Sequence, residues 1–247
     1  MRYFAKVRYL GTDFFGFQVQ PDKRTVQGEL CRALAEAFGA PVLVTGCSRT
    51  DRGVHANELA LTIETNGAYI PPHKLPLAVA RFLPSDLSLF YAKECDDKFH
   101  ARHDVVYKEY LYRIKNSNVQ DPFEHGRSWF LPRLIDEEKI DLMRLGAKRI
   151  IGKHDFTAFM SEGSPVNDPV RCVFDLSVEK TGDVIEIKIS ADGFLYNMVR
   201  IIVGTLVELA YGRFTLDDID RIIESKNRAM AGQTAPPDGL YLNRVVY

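Results

Sequence analysis

The chain has 247 residues, 46% of them hydrophobic and 26% charged, an ordinary globular composition with enough length for one large domain or two modest ones. No run approaches the roughly 18 consecutive apolar positions of a membrane span, and Met1 to Lys6 leads straight into a strand-like pattern without the apolar segment of a signal peptide. The net charge of −1 argues against a broad phosphate-binding surface on one copy of the chain, and four scattered cysteines without a C-x-x-C pair read as reduced thiols in a cytoplasmic protein.

Residues 3 to 9 alternate, with Tyr3, Ala5, Val7 and Tyr9 on one face and Lys6 and Arg8 on the other, which predicts a strand. A loop rich in glycine and aromatics follows, from Gly11 to Pro21. Thr25 caps an expected helix in which Val26, Leu30, Leu34 and Phe38 recur at about helical spacing, with Gly39 as its stop. Strands are expected near 42–45 and 58–64, a short helix from Lys74 to Phe82, and a further strand from Leu87 to Lys93. The polar stretch 96–104 marks a boundary that divides the chain into domains 1–105 and 106–247.

In the second part, Val106, Tyr110, Tyr112 and Ile114 share one face of a strand, and Asp121 to Pro132 form a long connection. Asp136 starts a helix carrying Ile140, Met143, Ala147 and Ile151. Gly163 to Pro169 is a loop by composition. Cys172 to Val178 and Val184 to Ser190 read as a hairpin around Thr181-Gly182-Asp183. Leu195 to Tyr211 is the longest apolar helix, broad enough to lie buried across a sheet. Thr215 and Asp218 form a capping arrangement for another helix, and Leu240 to Tyr247 ends as a strand. The pattern predicts an α+β fold with mainly antiparallel sheets.

The chemistry is expected in Gly46-Cys47-Ser48-Arg49-Thr50-Asp51-Arg52-Gly53-Val54-His55-Ala56, a polar loop between two strand-like runs. By residue type alone Asp51 is either a turn former or a carboxylate kept ionised by a neighbouring cation and able to act as nucleophile, base or electrostatic stabiliser. His55 packs in the loop or binds phosphate; its spacing does not decide. His100 and His103 form an H-x-x-H pair without a third ligand nearby, so the spacing implies no metal. Gly11 and Gly16 match neither a P-loop nor a dinucleotide fingerprint, so no nucleotide cofactor is implied. Basic residues mixed with tyrosines between 100 and 115 suit either a nucleic-acid groove or a solvated strand face. Gly204, inside the apolar helix, points to close packing. Arg200 is a cation in that same helix; burying it unpaired is costly, so it calls for an acid or a ligand, and Asp51 is a candidate.

Ser48 to Ala56 closely resembles the R-T-D-x-G-V-H-A signature of the tRNA pseudouridine synthase A family. Four further blocks resemble the family in order: Tyr9 to Gln20, Phe99-His100-Ala101-Arg102 with Tyr110-Leu111-Tyr112, Asn197 to Gly204, and Gly239-Leu240-Tyr241-Leu242. Leu10 stands where many relatives carry aspartate, and Phe17 where many carry tryptophan. The resemblance implies two α/β domains whose sheets join across a central active-site cleft, a homodimer, no metal or organic cofactor, and a tRNA substrate modified at uridine on the 3′ side of the anticodon arm. It implies that Asp51 is the catalytic aspartate, that Arg200 pairs with it, and that Tyr110 stacks on the target base and serves in proton removal from C5. Arg49 would hold the target nucleotide out of its stack, and Leu240 would wall the base pocket. Two other functions remain: a non-catalytic RNA-binding module, and a carboxylate glycosidase acting on nucleosides, which needs a second acid.

Overall fold

The computed structural model describes residues 1–163, 166 and 168–247. Of the loop expected from Gly163 to Pro169, Ser164, Pro165 and Asn167 lie outside the described residues. The chain divides into two compact units, Met1–Val106 with Tyr241–Tyr247, and Tyr107–Leu240. A boundary drawn along the sequence places the last residues in the second part, but they lie in the first. The reason is strand pairing: Tyr241 and Leu242 pair in parallel with His55 and Ala56, a partnership that no local pattern announces.

The first unit is built on strand β1 (Arg2–Tyr9). It lies between β3 (His55–Thr65) and β4 (Leu87–Glu94), antiparallel to both. Strand β2 (Val42–Gly46) pairs antiparallel with β3 from Val42 opposite Thr65 to Gly46 opposite Leu61. Helix α1 (Val26–Phe38) begins at Thr25, whose side chain accepts from Gly28 N, and ends at a left-handed Gly39. Its buried stripe of Val26, Leu30, Ala33 and Leu34 joins Tyr3, Ala5 and Val7 in the core, and Phe38 meets the Tyr3 ring at 5.8 Å. The expected second helix is shorter, α2 (Leu75–Ala80), preceded by a 3-10 turn over Pro72–Lys74.

The opposite face of β1 carries Phe4, edge-on to Phe99 at 5.5 Å and to Tyr247 at 5.3 Å. The Tyr247 hydroxyl donates to Ala101 O at 2.7 Å. Burial, with Cys47, Asp104 and Glu58 nearby, holds that phenol above its ordinary range. The Phe99-His100-Ala101-Arg102 block thus anchors the terminal strand β10 (Leu240–Val246).

The second unit places β5 (Tyr107–Asn116) beside β9 (Val184–Ala191), then β8 (Val170–Thr181) and β7 (Gly152–Asp155), all antiparallel. A strand of three residues, β6 (Trp129–Leu131), lies parallel to β5 within the expected connection. Strands β6 and β7 are too short for alternation to reveal them; they exist because a neighbour offers backbone partners. Helix α3 (Glu137–Ile150) starts at Asp136, whose carboxylate accepts from Lys139 N, and Ile150 rather than Ile151 completes its buried face. Helix α4 (Met198–Ala210) is buried at every position except Arg200. A Cβ on Gly146 of α3 would lie 2.5 Å from Leu209 Cδ2 of α4, so that glycine sets how closely the helices meet. Helix α5 (Leu216–Ser225) carries the full Thr215/Asp218 capping box. None of the four cysteines is joined in a disulfide. Among the described residues, no helix is long and apolar enough to cross a membrane.

Candidate active site

The Asp51 loop is a clamped structure rather than a slack turn. It leaves β2 through Cys47, whose N–H donates to Ala60 O at 2.9 Å, and closes on itself where Val54 N donates to Asp51 O at 3.2 Å. The aromatic segment between Gly11 and Gln20 grips it from outside: Phe17 N donates to Thr50 O at 3.0 Å, and Gly53 N to Phe14 O at 3.3 Å. The buried Tyr9 hydroxyl shares a 2.8 Å hydrogen bond with Thr50 Oγ1. Arg52 lies over the Phe15 ring at 4.3 Å, a cation–π contact that turns it toward the clamp. Arg49 is exposed and Asp51 is half-buried.

His55 has a definite role here. It is wholly buried, its Nδ1 accepts from Gly11 N at 2.9 Å, and its ring stacks on Tyr241 at 4.5 Å. An accepting Nδ1 is a neutral imidazole with its proton on Nε2. The ring is therefore a packing and anchoring group, which settles the choice left open by spacing. Gly11 sits so close to the loop that a Cβ there would lie 2.0 Å from Val54 O. We expect Gly11→Ala to lower stability by about 1–3 kcal/mol and to reduce turnover roughly tenfold or more by displacing the loop. Denaturant unfolding and a single-turnover assay check this; wild-type values in both would contradict the clamp.

In the second unit, Tyr110 on β5 is buried, with Phe194 edge-on at 4.9 Å. Tyr112, two residues on and wholly buried, donates to Pro236 O at 2.7 Å. Burial raises the Tyr112 phenol well above its ordinary range, and the Arg200 cation offsets part of that. Arg200 Nε donates to Ala235 O at 2.7 Å, and its Nη1 donates to Asn197 Oδ1 at 2.7 Å. In return Ala235 N donates to Arg200 O at 3.1 Å.

The segment from Ala231 to Gly239 forms a strap over α4. Thr205 Oγ1 accepts from Gly232 N at 3.0 Å, and Glu208 Oε1 accepts from Gln233 N at 3.2 Å. A Cβ on Gly204 would lie 1.9 Å from Gln233 O, so the close packing expected of Gly204 is its role. Leu240, buried, follows at the end of the strap.

Of the sequence-predicted residues, Arg49 and Asp51 share one loop of the first unit, while Tyr110 and Arg200 belong to the second unit, where Leu240 closes the strap. Sequence reasoning gave no role to Asn197, Tyr112, Thr205 and Glu208, which hold Arg200 and the strap; signals lay only in the place of Asn197 at the head of the Asn197 to Gly204 block and of Tyr112 in Tyr110-Leu111-Tyr112. The basic stretch 100–115 is partly neutralised in place. Arg113 lies 3.5 Å from both Glu124 and Glu186, and Lys115 lies 2.8 Å from Asp183. His100 and His103 have ring centroids 4.2 Å apart, and His100 Nδ1 accepts from the backbone of Arg102 and His103. Among the described residues, no group of three or more His, Cys, Asp or Glu side chains could hold a metal.

The first unit thus carries a carboxylate on a doubly clamped loop, and the second a guanidinium held at two edges; groups fixed in this way are of the kind that functional sites use. The model of the family described as tRNA pseudouridine synthase matches residues 5–104 and 147–247. The tRNA pseudouridine synthase A of Thermoanaerobacter sp. (strain X514) is 43% identical over 241 residues, covering 98% of this chain and 97% of the relative. That of Brevibacillus brevis is 44% identical over 239 residues, covering 97% and 96%. A crystal structure of a Cbf5-Nop10-Gar1 complex aligns with 98% of this chain and 58% of the other at 11% identity and a TM-score of 0.37, a distance at which no residue is transferred. The chain belongs to the tRNA pseudouridine synthase family. Asp51, Arg49, Arg200 and Leu240 lie within the stretches that match the family model, and Tyr110 lies between them.

Proposed function

We propose that this enzyme converts uridine to pseudouridine in the anticodon arm of tRNA, with Asp51 as its catalytic carboxylate. The observation that carries the reading is the clamped Asp51 loop within Arg49-Thr50-Asp51-Arg52-Gly53-Val54-His55-Ala56, presented by backbone bonds from Phe17 and Gly53. The reaction breaks the N1–C1′ bond, turns the base, and joins C5 to C1′; N1 ends with a proton and C5 loses one. Substrate and product are isomers, so the chemistry calls for no redox cofactor. A carboxylate serves it either by adding covalently or by removing the C2′ proton.

The other residues take roles that follow from this. Arg200 pairs with Asp51 and keeps it ionised. Tyr110 stacks on the extruded base, offsetting about 1–3 kcal/mol of an unstacking cost of a few kcal/mol, and serves in removing the C5 proton. Leu240 walls the base pocket, and Arg49 holds the nucleotide out of its stack. Since one copy carries a net charge of −1, a homodimer pools the exposed cations of two copies against the phosphate backbone. The proposed site of action is the cytoplasm.

The test is incubation with unmodified tRNA, followed by nucleoside analysis and measurement of assembly mass. Pseudouridine confined to the anticodon arm, no free uracil and a dimeric mass are expected. Released uracil identifies a glycosidase, and binding without product identifies a passive RNA-binding module; either overturns the proposal.

A further inference from the structure

The residue that opens α4 does not behave as a helix cap. A cap is normally extended and turns its side chain onto the first free N–H groups of the helix. Asn197 is instead left-handed, with φ 61, and among the described residues its side chain makes no capping bond. A side-chain-bearing residue is strained in that region, though Asn tolerates it better than most. Its backbone still serves the helix, with Ile201 N donating to Asn197 O at 3.0 Å.

The amide is spent elsewhere. Asn197 Oδ1 accepts from Arg200 Nη1 at 2.7 Å, and Asn197 Nδ2 donates to Ser161 Oγ at 2.9 Å. Ser161 is itself fastened where its N–H donates to Tyr196 O at 3.1 Å. On the other edge of the guanidinium, Nε donates to Ala235 O at 2.7 Å. Two neutral acceptors, each anchored independently, thus fix the plane of Arg200. Their neutrality matters. A carboxylate in place of the Asn197 amide would compensate the guanidinium charge, whereas an amide orients it without adding a countercharge.

We infer that Asn197 is a positioning residue for the isomerisation: its left-handed backbone and diverted amide aim the Arg200 guanidinium. The inference rests on the proposed role of Arg200. Because a misplacement of about 1 Å costs on the order of a hundredfold in rate, an orienting bond of this kind has a measurable signature.

Asn197→Gly separates the bond from the backbone, since glycine adopts φ 61 without strain and lacks the amide. In steady-state assays on tRNA, it is expected to lower kcat by about ten- to a hundredfold, with KM for tRNA and the melting temperature unchanged or the latter raised. Adding Asn197→Gly to Arg200→Met is expected to cost nothing beyond Arg200→Met alone, because the two act through one group. Asn197→Asp, which keeps the acceptor but adds charge, is expected to fold normally and turn over more slowly than wild type. Full kcat in Asn197→Gly beside an inactive Arg200→Met overturns the inference and leaves the role of Arg200 standing. A fully active Arg200→Met overturns both. A loss in Asn197→Gly that merely tracks a lowered melting temperature also overturns it.

Discussion

Asp51→Asn is expected to abolish pseudouridine formation, by a factor on the order of 10³–10⁴, while leaving tRNA affinity and thermal stability close to wild type. The physical case is that an amide matches the carboxylate in size but neither adds as a nucleophile nor takes up a proton at neutral pH. The clamp is made of backbone groups and of neighbours: Val54 N donates to Asp51 O, Phe17 N donates to Thr50 O, and the Tyr9 and Thr50 hydroxyls share a hydrogen bond. The substitution therefore removes the proposed chemical group and spares these clamp bonds. Single-turnover assays on unmodified tRNA, with filter binding at fixed salt, check it. Equal product from both proteins would remove Asp51 from the mechanism. Lost product with lost binding would instead make Asp51 a contact for RNA.

Arg200→Met is expected to lower turnover by about 10²–10³-fold and to move the acid limb of the pH–rate profile to higher pH. The sign follows from the charges. In the proposed pair the cation favours the carboxylate; without it the proton is retained to higher pH, so activity falls away earlier on acidification. Arg200→Lys keeps the charge but loses the fork that meets Ala235 O and Asn197 Oδ1 together, so it is expected to fall between wild type and Arg200→Met. An acid limb that does not move in Arg200→Met would contradict the pair, even if the rate falls.

Much of the fold is legible in the chain. The stripe Val26, Leu30, Leu34, bracketed by Thr25 and Gly39, specified α1 to the residue, and Thr215 with Asp218 specified the start of α5. Helix α4 proved harder. Leu195 continues its apolar pattern, but the left-handed Asn197 delays the helix to Met198, and a single φ angle leaves no trace in hydrophobicity. The candidate site is less legible: by residue type Asp51 is either a turn former or a working carboxylate, and the family resemblance alone names it catalytic. Asp51 and Arg200 stand out because one lies in a polar loop and the other interrupts an apolar helix. Asn197, Thr205 and Glu208 did not, because a small polar residue announces a function only once its partner is known.

Local order in this protein is written in the sequence: helix caps, strand alternation, the polar loop around Asp51 and the lone cation in α4 all follow from short-range periodicity and residue chemistry. Tertiary structure alone decided the rest. It carried the last strand back to His55 and Ala56 in the first unit and turned His55 from a possible anion ligand into a buried acceptor for Gly11. It also laid the Ala231–Gly239 strap on α4. Each of these depends on which backbone donor meets which acceptor across tens or hundreds of intervening residues. Such meetings are set by the packing of the whole core, so no window of sequence contains them.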